Sequence, residues 1–268
     1  RVTRSMFSSV TGNLEATLRP QWYETVAATL ATHFEPDDIR CAVSSDHDFV
    51  VDYNDVIADL GLGAQVLAMT GNESSSLHIG HINAWPLIVD PAQPGGGSVP
   101  WAGRDPGEVF DLLRGGDPTR VVQVNHPRDA SLGFFALIDL DPVTLTARAD
   151  PADLGLPGAD LNDFGFDAIE VANTKTAGLF EAAFADWLAF LAAGYPVVGT
   201  GSSDSHGDDT FAGSARTFVW VGSGNDDPAT IDSGALNTAI LAQHVVVSQG
   251  VFVTASLLDP NTQIPSLP

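Results

Sequence analysis

Thiols and lysines are almost missing from this 268-residue chain. Cys41 is the only cysteine, so no internal disulfide can form and a thiolate metal cage is excluded. Its setting in the apolar run Ile39-Arg-Cys-Ala-Val43 makes it a small core residue. Lys175 is the only lysine; arginine supplies the rest of the 11 basic residues, against 34 acidic ones, for a net charge of -23. Charge of that size repels nucleic acid and anionic membrane alike unless metal ions reverse it locally, so a small-molecule substrate is expected. No run approaches the ~18 apolar residues that span a bilayer. No signal peptide is present, but the chain opens at Arg1, so both a cytoplasmic and an exported protein stay open. Internal repeats and heptads are absent too.

What is present is a globular composition, 44% hydrophobic, at a length suited to one large α/β domain. Short, nearly continuous apolar runs at residues 39–44, 65–70, 81–89, 120–124, 166–172, 196–199, 216–221 and 245–253 read as strands buried on both faces. Helices with legible punctuation lie between them. Asp105-Pro-Gly-Glu108 offers an N-cap, a first-turn proline and a capping-box glutamate, with Gly115-Gly116 as the stop. Residues 178–193 carry Leu179, Phe180, Ala183, Phe184, Trp187, Leu188 and Leu191 at helical spacing. Residues 90–103 and 141–163 read as loops. The domain is placed at 1–256, with 1–38 as an insertion or remnant of a first strand–helix unit and 257–268 as a tail.

The chemistry lies where strands end. The first run leads into Ser45-Asp46-His47-Asp48, the second into Gly71-Asn72-Glu73, the fourth into Asn125-His126-Pro127-Arg128, and the sixth into Ser202-Ser203-Asp204-Ser205-His206. His81, in Gly80-His81-Ile-Asn83, opens the third. In parallel α/β barrels the carboxyl ends of the strands converge on one face. Imidazole and carboxylate without thiolate favour zinc, manganese or iron. Two ions sharing a carboxylate such as Glu73 would lower the pKa of a water between them and clamp a phosphoryl or acyl centre, which is hydrolytic chemistry.

Blander readings compete. A single histidine at a strand end is more often structural, so the weight rests on the set. Asp204-Ser-His206 could belong to a serine hydrolase, but no Gly-x-Ser-x-Gly elbow surrounds Ser202 and Ser203. His33 and His244 fall outside the pattern. His78 lies three residues from His81, and on a strand the two would face opposite ways; His81 is the preferred ligand. Aspartates at 139–163 lack the spacing of a calcium loop. Arg128 and Arg216 are candidates to hold an anionic substrate, though surface pairing with the many acids competes. Asp46 is read as orienting a histidine.

Taken in order, Ser45-Asp46-His47-Asp48, Gly71-Asn-Glu73, Gly80-His81-Ile-Asn83, Asn125-His126-Pro-Arg128, Ala168-Ile-Glu-Val-Ala-Asn173 and Gly201-Ser-Ser-Asp204-Ser-His206 resemble the PHP (polymerase and histidinol phosphatase) superfamily, in its carbaryl-hydrolase-like branch. The resemblance implies a distorted (β/α)7 barrel, incomplete at its N-terminus, with two or three divalent metal ions on one face. It implies that Glu73 bridges two of them, that His81 and His126 complete one, that Asp204 binds another and that His47 and His206 hold a third. The family's opening His-x-His occurs nowhere in this chain, so Arg1-Val-Thr-Arg-Ser5 is matched to the helix after a lost first strand. The segment 8–36 is matched to an insertion.

The resulting expectation is a metal-dependent hydrolase, foremost a phosphoesterase, with Glu73, Asp204 and His206 in the catalytic role and His47, Glu73, His81, His126, Asp204 and His206 at the metals. A carbamate, ester or amide hydrolase on the same scaffold and a non-catalytic metal-binding module are the alternatives.

Overall fold

The computed structural model describes residues 3–8, 41–206, 213–222, 227–249, 257–258 and 265–266; for 3–8, 257–258 and 265–266 only the backbone is described. Two five-stranded mixed sheets organise them. The first contains β1 (Thr3–Ser8), β2 (Cys41–Ser44) and β3 (Leu67–Met69) in parallel. The second contains β4 (Asn72–Ser76), β5 (Gly80–Trp85), β6 (Val121–Val124), β9 (Ala168–Asn173) and β10 (Val198–Ser202), in the order β10-β9-β6-β5-β4. The first sheet is extended beyond β1 by antiparallel β11 (Arg216–Val219) and β12 (Val245–Ser248). Small two-stranded ladders form from β7 (Leu140–Asp141) with β8 (Thr146–Ala147), and from β13 (Leu257–Leu258) with β14 (Pro265–Ser266).

This arrangement overturns the expected (β/α)7 barrel: the sheets are mixed, the helices are short, and no closed barrel exists among the described residues. The physical reason is that continuous apolar character reports burial on both faces and says nothing of strand direction. β4 and β5 form a hairpin with only residues 77–79 between them, and β5 pairs antiparallel with β6 as well. In the second sheet only β6–β9 and β9–β10 keep the parallel pairing expected throughout. The eight apolar runs do contain strands, but Thr3–Ser8 is a strand where a helix was matched, pairing with β2 and β11. The segment 8–36 falls outside the described residues apart from Ser8, as does 1–38 apart from 3–8.

Helices α1 (Asn54–Asp59), α2 (Pro106–Arg114), α3 (Phe134–Leu137), α4 (Phe180–Ala192) and α5 (Ser233–Leu241) fill the connections. α2 starts as its sequence says, with Asp105 accepting from the Glu108 amide, and it stops at Gly115 in the left-handed region. Its Val109, Phe110 and Leu113 pack with Phe134, Phe135 and Phe190 against one face of the second sheet, on Ile82, Val122, Val124, Ile169 and Val171.

The other face of that sheet changes character along its strands. At one end Trp85, Val121, Ala168 and Val198 join Cys41, Val43 and Met69 of the first sheet and Leu236 and Ile240 of α5 in a second apolar cluster. Further along, the same face offers buried Asn83, Gln123, Glu170 and Thr200, then His81, Asn125 and Ser202. One residue of extra chain in β9 shifts the register between Thr200 and Gly201, so that Gly201 faces Ala172. Such a bulge re-aims the residues beyond it, here Asn173 and Ser202.

Gly71, in the turn from β3 to β4, sits against backbone: a Cβ there would lie 2.7 Å from the Ser44 carbonyl oxygen and 2.8 Å from that of Ala84. Gly71→Ala is expected to cost ~1–3 kcal/mol in urea unfolding, as forced overpacking does. By comparison, removing the α2 cap with Asp105→Ala should cost only ~1 kcal/mol. Burial also pushes the Cys41 thiol up to about 12. Its folded pKa lies above the unfolded one, so stability should fall as pH rises from about 9 towards 12. At pH 8 a disulfide reagent should leave native Cys41 untouched and react fully once the chain is unfolded.

Candidate metal centre

The polar end of the second sheet meets the chain leaving β2. His47 forms an isolated parallel bridge with Glu73, and the Glu73 amide donates to the Asp46 carbonyl at 3.1 Å while the Asp48 amide donates to the Glu73 carbonyl at 2.9 Å. Backbone pairing therefore fixes His47 beside Glu73 before any side chain is considered.

Glu73 is buried, and three imidazoles surround its carboxylate. His47 Nδ1 lies 2.8 Å from Oε2, His81 Nδ1 3.3 Å from Oε1, and His126 Nε2 3.6 Å from Oε1. Asn125 donates to Oε1 at 2.6 Å. That amide is oriented from below, because Thr200 donates to Gln123 at 2.6 Å and Gln123 donates to Asn125 Oδ1 at 2.9 Å. Burial alone would raise the Glu73 pKa, yet the neighbouring imidazoles of His126, His47 and His81 hold it well below the usual carboxylate range. Burial disfavours charge on His126, but Glu73, Glu170 and Asp204 outweigh it and push the ring up to about 9. On His47 the same contest, led by burial and decided by Glu73, ends with a raised pKa.

His206 joins from the chain after β10. Its Nε2 stands 3.2 Å from His47 Nε2, and its Nδ1 faces Asp204, 2.9 Å from the carbonyl and 3.2 Å from Oδ1. Burial works to raise the Asp204 pKa, but His206 and the Lys175 charge keep it lowered. Asp204 is tied to the rest through Asn173, which donates to Asp204 Oδ2 at 3.3 Å and to Glu170 Oε2 at 3.1 Å. His47, Glu73, His81, His126, Asp204 and His206 are thus brought into one cluster.

The donor set fits a divalent cation. His47, Glu73 and His81 each offer a ligand atom within 4.8 Å of the others. Two nitrogens on one tetrahedral ion, at bonds of ~2.0–2.1 Å, would stand ~3.3 Å apart, close to the 3.2 Å between His47 and His206. Two buried nitrogens, His81 Nδ1 and His126 Nδ1, have no well-formed hydrogen bond among the described residues, a cost that a bound ion or its water would offset. Backbone strain gathers here as well: Asp48 (φ 56°), His126 (φ 27°) and Asp204 (φ 50°) all occupy the left-handed region.

Other sequence candidates lie elsewhere. His78 Nδ1 is bonded to the Leu154 carbonyl at 2.6 Å, outside the cluster. Asp46 accepts from Tyr53 at 2.9 Å. Arg128 grips Asp186 with two bonds of 2.6 Å and reaches the Phe135 and Leu140 carbonyls. Arg216 opens β11, half-buried, and its Nε has no partner among the described residues.

The sequence reading passed over Ser75, which meets His47 Nδ1 at 2.6 Å, and gave no site role to Asn125, Glu170, Asn173 and Ser202, which lie in its motifs. Glu170 is buried, accepts from Ser202 and, at 2.5 Å, from the His126 amide. Burial, reinforced by the Asp204 charge, pushes its pKa up to about 8. The one available signal was a glutamate inside an otherwise apolar strand run, Ala168-Ile-Glu-Val-Ala.

No family model matches this chain, and no curated protein matches it. Among solved structures, the crystal structure of PsfC from Pseudomonas syringae PB-5123 superposes with a TM-score of 0.44 at 12% identity, over 93% of this chain and 89% of PsfC. A superposition that loose carries no functional argument. Among the described residues no helix is long and apolar enough to cross a membrane.

The Arg128–Asp186 pair separates a structural from a substrate role. Asp186 is 1% exposed, so Arg128→Ala strands a buried carboxylate, and unfolding free energy should fall by ~3 kcal/mol or more. For any anionic substrate the variant should keep its KM; a KM raised tenfold at unchanged stability would restore Arg128 to substrate binding.

Proposed function

We propose that this chain is a metal-dependent hydrolase of small phosphoesters, in which His47, Glu73, His81, His126, Asp204 and His206 would hold the ions. The observation that carries the reading is one buried carboxylate with Oε2 turned to His47 and Oε1 to His81 and His126. Zinc, manganese and iron suit these ligands, and two or three ions are the proposed complement. Such ions would supply Lewis acidity and lower the pKa of water.

The protein's own part is to hold the ligands and exclude alternatives. Asn125 fixes Glu73, Ser75 fixes His47, and Asp204 directs the His206 ring. Glu170 and Asn173 hold the His126 backbone and Asp204 in their strained conformations. A small substrate is favoured by the net charge of -23, which opposes polyanions such as nucleic acid. The likeness of the ordered motifs to the PHP superfamily supports the same chemistry, without the barrel.

Elemental analysis of the purified protein, followed by aryl phosphate and aryl carbamate assays with added zinc or manganese, tests this. Bound transition metal and metal-dependent phosphate release are expected. Glu73→Gln should abolish both, and Asn125→Ala should lower metal affinity ~10–100-fold, as loss of a ligand-orienting partner does. Carbamate cleavage without phosphatase activity would replace the substrate class, and a protein that binds no transition metal would end the reading.

A further inference from the structure

The chain's only lysine lies at this site. Lys175 follows β9, and its ammonium is 2.5 Å from His206 Nδ1. The turn that carries it is fixed at both ends. Asn173 Oδ1 accepts from the amides of Lys175 at 2.8 Å and Thr176 at 3.1 Å, while Thr174 meets Ser214 at 2.7 Å and accepts from the Ala215 amide at 3.0 Å. The residue itself is exposed, so the ammonium stands between solvent and the ligand cluster.

Three of the described arginines are committed elsewhere. Arg128 is held by Asp186, Arg114 by Asp167 and Arg120 by the carbonyls of Pro86 and Leu113. The tautomer of His206 decides what Lys175 can do. With the ring proton on Nε2, Nδ1 can accept a hydrogen bond from the ammonium. When Nε2 binds a metal, Nδ1 must carry the ring proton, and Asp204 is in place to accept it at 2.9 Å and 3.2 Å. An ammonium then faces an N–H donor and needs a different acceptor.

We infer that Lys175 is the residue that binds the substrate's anionic oxygen, released for that role when His206 Nε2 takes a metal. The inference rests on the hydrolase reading and deepens it, assigning an oxyanion-bearing substrate and moving the anion contact from Arg128, which Asp186 holds, to Lys175. In the metal-free protein the carboxylates of Glu73 and Asp204 repel an anion, so phosphate binding should require zinc.

With lysine labelled by 13C at its ε-carbon, the full chain gives one side-chain resonance, because it has one lysine. Zinc should move that resonance, and inorganic phosphate should move it again, saturably and only in the zinc-loaded protein. Calorimetry should find phosphate binding weakened at least ~10-fold in Lys175→Met, the loss of a charge-assisted hydrogen bond, and largely kept in Lys175→Arg. With an aryl phosphate, Lys175→Met should raise KM by a similar factor, and with a neutral aryl ester it should leave KM unchanged. Phosphate that binds without moving the resonance, equal binding by Lys175→Met, or no phosphate binding to the zinc-loaded protein would overturn the inference while leaving a metal hydrolase intact. A phosphate-dependent shift with no turnover of any substrate would instead uphold Lys175 and sink the hydrolase.

Discussion

A carboxylate withdrawn from water must be answered by charge and hydrogen bonds, and Glu73 imposes that condition on everything near it. Three imidazoles and one amide answer it, placed by three pieces of backbone: His47 after β2, His81 on β5, and Asn125 and His126 after β6. The amide in turn is oriented by Gln123 and Thr200, so the demand of one carboxylate is transmitted down the polar face of the sheet. An ion-pair cluster of this kind is weak support for stability, since desolvation offsets much of the attraction. It is retained at a point where backbone strain also collects, at Asp48, His126 and Asp204, which is the pattern of a site and not of a stabilising core.

The remainder of the molecule supplies what that cluster cannot. Phe110, Phe134, Phe135, Phe166 and Phe190 pack edge to face or stacked on the far side of the second sheet, with centroids 5.4 to 5.8 Å apart in the contacts they share. Asp48 links the cluster to the proline- and glycine-rich loop at 90–103, accepting from the Trp101 indole at 2.9 Å and from the Ser75 amide at 3.0 Å. Thus a loop of low secondary structure is tethered to the residue next to a ligand, and the same carboxylate holds the strand that bears Glu73.

Legibility followed physical locality. The α2 helix was readable because its cap, proline and terminal glycine are all local. Ligand-type residues were readable because imidazole and carboxylate at strand ends are rare in apolar surroundings. β4 was not readable: Asn72-Glu-Ser-Ser-Ser76 is polar throughout, and its burial is paid for by partners on other strands. Arg128 was misleading for a related reason. Its role is set by Asp186, 58 residues away, a pairing that no local pattern announces.

By itself, then, the sequence determined which side chains could carry the chemistry, where most strands and the best-punctuated helices fall, and that Cys41 is a buried structural thiol. Tertiary structure alone decided strand direction, the two mixed sheets in place of a barrel, the pairing of Arg128 with Asp186, and the nearness of Lys175 to His206. The reason is that composition and periodicity report burial, residue by residue, whereas direction and contact depend on hydrogen-bond pairings between segments far apart in the chain.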